Sequence, residues 1–65
     1  MAGDLYRRLT RLLRDAGCQP RRQGKGSHEI WYSPLTDRTF SVPANITSRP
    51  LANTILKQAG LDKAL

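Results

Sequence analysis

The sequence predicts an α+β fold: a two-layer sandwich in the order α-β-β-β-α, with both helices on one face of an antiparallel three-stranded sheet. Three observations carry this expectation. Apolar residues recur at helical spacing near both ends of the chain. Between them lie short runs of aromatic and β-branched residues separated by turn signals. The 65 residues make one domain, 1–65, because a chain this short buries only about 60% of the surface exposed when unfolded.

The first helix is read from Leu5, Leu9, Leu12, Leu13 and Ala16, which form one stripe with Tyr6 at its edge, while Arg7, Arg11 and Arg14 take the opposite side. Gly3 or Asp4 caps its start, and Gly17 suits the left-handed position that ends a helix. Residues 18–23 contain Pro20, which has no N–H to give a ladder, so they form at best an edge strand. Residues 27–33, with Ile30, Trp31 and Tyr32, make a stronger strand. Ser33-Pro34-Leu35-Thr36-Asp37 reads as a turn. Residues 38–42 then alternate, Phe40 and Val42 on one face and Thr39 and Ser41 on the other, until Pro43 stops them.

After a loop at 43–48, Ser48 caps a second helix and Pro50 is accepted in its first turn. Leu51, Ala52, Ile55, Leu56 and Ala59 share its apolar side, Gly60 ends it, and the tail Leu61–Leu65 is short enough to fray. Two matching apolar stripes can cover one sheet face and leave the other open, the arrangement of a double-stranded-RNA-binding domain.

Composition narrows the function. There is no 18-residue apolar run to span a membrane and no signal-peptide core at the arginine-interrupted N-terminus, so a cytoplasmic location is expected. The single cysteine, Cys18, has no internal disulfide partner and no Cys/His cluster around it; it reads as a small buried hydrophobe. The net charge of +6 is uneven: residues 1–26 carry seven basic and two acidic groups, residues 27–65 four and three. Such a concentration suits a polyanion or an acidic protein, although a helix kept basic for solubility is the plain alternative for Arg7, Arg11 and Arg14.

The chemistry concentrates at Gly24-Lys25-Gly26-Ser27-His28, a glycine turn entering the second strand and holding the only histidine. Glycines let a backbone expose N–H groups, lysine and serine donate to phosphate, and histidine moves protons near neutral pH. Arg21 and Arg22 lie just upstream. Trp31, Arg7, Arg11, Arg14 and Lys57 are further candidates for contact to RNA or a protein partner. The structural alternative for His28 is a rim residue closing the sheet beside Ile30.

The segment Gln23-Gly24-Lys25-Gly26-Ser27-His28-Glu29-Ile30 resembles the K-G-S-H motif of the HicA toxins. Val42-Pro43, then Ile55-Leu56-Lys57-Gln58-Ala59-Gly60-Leu61, resemble the family's V-P and I-L-K-Q-A-G-L elements, and the opening helix ending in Ala16-Gly17 matches as well. The resemblance covers residues 4–61. It implies a fold like a double-stranded-RNA-binding domain. It also implies a toxin of a type II toxin–antitoxin system that cuts messenger RNA, halts translation and is blocked by a HicB antitoxin. The catalytic histidine carries over onto His28, and Gly26 and Ser27 match the motif. Two positions depart from it: many members have a second histidine where Glu29 stands, and many carry a basic, histidine-containing loop where Ala44-Asn45-Ile46-Thr47-Ser48 stands.

RNA can be cut without metal, by attack of its own 2′-hydroxyl on the neighbouring phosphorus. His28 can act as base or acid, and Lys25, Arg21 or Arg22 can steady the phosphate. Strand alternation puts Glu29 on the other side from His28. One acid–base group contributes about 10²–10⁴-fold, which suits a slow ribonuclease. The scattered carboxylates do not suggest a Mg²⁺ site, and no cofactor is expected. The alternative is a non-catalytic RNA-binding module of the same fold.

Overall fold

The computed structural model describes residues 3–65. Its elements are α1 (Asp4–Asp15), β1 (Gln19–Gln23), β2 (His28–Ser33), β3 (Arg38–Pro43) and α2 (Arg49–Gln58). The α+β expectation holds element by element, and the order is consistent with the double-stranded-RNA-binding-domain arrangement. Pro43 is the last residue of β3 rather than the first beyond it.

The sheet runs β1-β2-β3, antiparallel throughout. β2 and β3 pair in register from His28 opposite Pro43 to Ser33 opposite Arg38. Residues directly opposite share a face, so Glu29 with Val42 and Trp31 with Phe40 point toward the helices. His28, Ile30 and Tyr32 fall on the open face with Ser41 and Thr39. β1 carries a bulge between Pro20 and Arg22, which leaves Arg21 as the extra residue.

One core joins the layers. Leu9 and Leu13 of α1, Ala52, Ile55, Leu56 and Ala59 of α2, and Trp31, Phe40 and Val42 of the sheet are all buried, with Cys18 and the loop residue Ile46. Both helices stop alike: Cys18 N–H donates to Leu13 O and Leu61 N–H to Leu56 O, each at 2.9 Å, wrapping the chain over the last turn. Ser48 caps α2 by accepting from Leu51 N–H at 3.3 Å, whereas the cap of α1, Gly3, contributes no side chain. Ser33, fully buried, ties sheet to helix by donating to Ala59 O at 2.5 Å.

Four expectations change. Trp31 has no exposed surface, which removes it from the candidate contacts to RNA or antitoxin: β2 alternation turns it inward, where the largest side chain fills the core. Arg14 is not opposite the apolar stripe; its guanidinium lies 5.2 Å from the Trp31 ring centroid, because a long side chain on the helix flank reaches the sheet. Leu51, placed on the buried stripe of α2, is 43% exposed; it sits at the stripe's margin, beyond the edge strand. The tail does not hang free: Leu65 N–H donates to Asn53 Oδ1 at 2.7 Å, and Leu61 and Leu65 pack on the core.

Candidate functional site

The turn before β2 is built by its glycines and braced by the loop after β3. His28 N–H donates to Lys25 O at 3.0 Å, closing a turn whose second residue, Gly26, has φ +59°. A side chain at that φ is strained, and glycine is not. Gly24 N–H donates to His28 O at 2.8 Å, and a Cβ on Gly24 would stand 3.1 Å from that same oxygen. Gln23 Nε2 donates to Gly26 O and His28 O, both at 3.3 Å. From the other side, Ala44 N–H donates to Ser27 O at 2.8 Å, and Ser27 Oγ to Asn45 Oδ1 at 3.1 Å. The loop that departs from the family pattern thus has a structural task here, holding Ser27.

His28 is exposed, with Nδ1 2.9 Å from Ser41 Oγ on β3. A hydroxyl can donate to a bare ring nitrogen or accept from a protonated one, so Ser41 can orient the ring in either state. With Nδ1 engaged, Nε2 is left for a ligand. His28 stands at one end of a groove of about 610 Å³ that follows the free edge of β3 and is walled by α2.

The basic candidates divide between the two layers. Lys25 is exposed in the turn itself. Arg22 pairs with Ile30, and Arg21 lies 4.5 Å from the Tyr32 ring centroid, so the bulge sets two successive arginines on the open face with His28. Tyr32 is fixed by donating to Asp37 at 2.5 Å, and that bond, with a smaller contribution from burial, raises its phenol pKa. Arg7 and Arg11 are exposed on α1 and Lys57 on α2, in the helix layer and away from the open face.

Glu29 points the other way from His28. Its Oε1 accepts from Tyr6 Oη at 2.7 Å and from Trp31 Nε1 at 3.1 Å. Burial first, then the bond to Glu29, pushes the Tyr6 phenol up to about 12. The carboxylate is therefore a tie between α1 and β2 and not a partner of the histidine. Two residues of the site were not singled out from the sequence, Ser41 and Asn45. The alternation of β3 puts Ser41 on the open face, but only the β2–β3 register brings it to His28.

The family model described as HicA toxin of bacterial toxin–antitoxin systems matches residues 6–61. The chain belongs to the HicA toxin family. It is accordingly a toxin of a toxin–antitoxin system, and its system includes an antitoxin. The matched span takes in the Tyr6 tie, the glycine turn, all three strands and α2 through Leu61. No curated protein and no solved structure gives a significant match. None of the described helices is long and apolar enough to cross a membrane.

Proposed function

We propose that this HicA toxin is a metal-independent endoribonuclease that cuts messenger RNA at His28 and is neutralised in the cytoplasm by a HicB-type antitoxin. The observation that carries the reading is the exposed His28 ring, held through Nδ1 by Ser41 with Nε2 left over, beside a turn whose exposed Lys25 suits a phosphate, the Ser27 hydroxyl proton being taken by Asn45.

In the proposed reaction the substrate's 2′-hydroxyl attacks the adjacent phosphorus while Nε2 of His28 takes its proton. The 2′-O–P bond forms and the P–O5′ bond breaks. The departing 5′-oxygen collects a proton from water or from the histidinium, leaving a 2′,3′-cyclic phosphate and a 5′-hydroxyl. Lys25, with Arg21 and Arg22 across the open face, opposes the charge that builds on phosphorus. The route needs no metal, and among the described residues no three of His, Cys, Asp and Glu gather into a site for one.

The test is cleavage of labelled RNA by the parent and by His28→Ala. His28 is exposed, so the variant is expected to fold like the parent yet leave RNA uncut. A 2′-deoxy substitution at the cleaved nucleotide is expected to protect it, and EDTA to have no effect. Cleavage by His28→Ala at the parent's rate rejects the assignment. RNA that is shifted on a gel but never shortened by the parent makes the protein a binding module.

A further inference from the structure

The groove at His28 continues far beyond the histidine. It follows β3 from Pro43 to Arg38, five residue steps or about 17 Å of strand. One wall is the edge strand, with Thr39, Phe40 and Ser41. The other is a stripe of α2 at helical spacing, Leu51, Thr54, Ile55 and Gln58. Arg38 is the one side chain of fixed charge in the described lining, and no carboxylate lines it.

This lining is poor for phosphate and good for a base. A phosphate site gathers cations and backbone N–H groups. A nucleobase has two apolar faces and a polar edge, and is held by stacking on flat or apolar side chains with hydrogen bonds to that edge. Leu51, 43% exposed, is the apolar side chain open to the groove, which is floored by the buried Phe40 and Ile55. Gln58, exposed, offers an amide that both donates and accepts. Thr54 donates its hydroxyl proton back to Pro50 O at 3.0 Å, which leaves its oxygen as an acceptor. The cations that suit a backbone lie on the other edge of the sheet, at Arg21 and Arg22, roughly 10 Å away across two strand spacings. An RNA strand crossing the open face from β1 to β3 passes His28 and ends with a base at the groove.

We propose that the groove between β3 and α2 seats the base of a nucleotide adjoining the scissile phosphate, with Thr54 and Gln58 reading its edge and Leu51 packing on its face. This rests on the ribonuclease reading of His28. It makes α2 the element that sets which RNA sequence is cut.

The probe is a short single-stranded RNA of mixed sequence, titrated into the full chain carrying His28→Ala so that it is not consumed. NMR shifts are expected at Leu51, Thr54 and Gln58 as well as in the turn. Thr54→Trp fills the groove from an exposed position and is expected to weaken binding on the order of tenfold, at an unchanged melting temperature. In the active chain, Gln58→Leu is expected to change which sites of a mixed RNA are cut while cleavage stays dependent on His28. If Gln58→Leu cuts the parent's sites and RNA shifts stay confined to the turn and β1, the groove assignment is overturned and the ribonuclease reading survives. A groove that responds only to a protein partner overturns it too. If RNA fills the groove but the active chain cuts nothing, the base seat stands and the ribonuclease reading falls.

Discussion

At the scale of single residues, His28 differs from its neighbours on β2 in what it leaves unused. Glu29 accepts from two donors, Tyr32 donates to Asp37, and Ser33 donates to a buried carbonyl. His28 commits one ring nitrogen to Ser41 and keeps the other. If Ser41 orients the ring, Ser41→Ala is expected to lower the cleavage rate about 3–10-fold, the worth of one hydrogen bond, with a smaller change in RNA affinity. Ser41→Thr, which keeps the hydroxyl, is expected to restore it. Single-turnover rates read beside RNA affinity separate this from a general loss of binding. How much of this was legible differs by residue. That Glu29 turns away from His28 followed from alternation alone. That Ser41 meets His28 did not, because two residues 13 apart become neighbours only through strand register. Trp31 shows the limit from the other side: its exposure on an open face or burial in the core depends on where the helices lie, and it is buried.

At the scale of elements, the contact between α1 and β2 is made by a flank of α1 that the apolar stripe does not reveal. Tyr6, Thr10 and Arg14 succeed one another along that flank. Tyr6 bonds Glu29, Thr10 is buried and donates to Tyr6 O at 2.9 Å, and Arg14 covers Trp31. This tie has a pH signature. The Tyr6 phenol is raised from 10.0 to about 12 in the folded chain, so the fold binds that proton more tightly than the unfolded chain does. Its contribution is present in full below about pH 10 and is lost as pH rises toward 12. Melting temperatures followed over that window are expected to fall more steeply for the parent than for Tyr6→Phe; parallel curves would mean that Tyr6 is not a linked group. Element identity was legible throughout: both helices, their glycine stops and the hairpin stand where periodicity and turn residues put them. The missed points lie at margins. Leu51 is at the border of the α2 stripe, and only the position of the β3 edge leaves it uncovered. The tail is held by Asn53, whose side chain gives no sign in sequence of the backbone it will meet.

At the scale of the whole molecule, the net +6 is shared between two layers that face opposite ways. Arg21, Arg22 and Lys25 attend the open face; Arg7 and Arg11 stand on the helix layer. Charge counted along the chain merges these into a single basic segment, and only the fold separates them. RNA bound on the open face is expected to lose about 1.4 from its log–log salt slope when Arg21→Gln and Arg22→Gln are combined. Arg7→Gln with Arg11→Gln is expected to leave that slope alone. Affinity measured across a salt series checks both, and a reversed result would move the RNA to the helix layer. The two edges of the sheet are equally unlike. β1 is exposed along its whole length, but Pro20 lacks an N–H and the bulge at Arg21 breaks its spacing. β3 pairs with β2 in unbroken register and carries neither device before its final proline. A sheet with one blunted edge can accept an added strand once and then has no second place to grow. Two copies pairing through β3 would therefore close as a two-fold pair and not propagate into a filament.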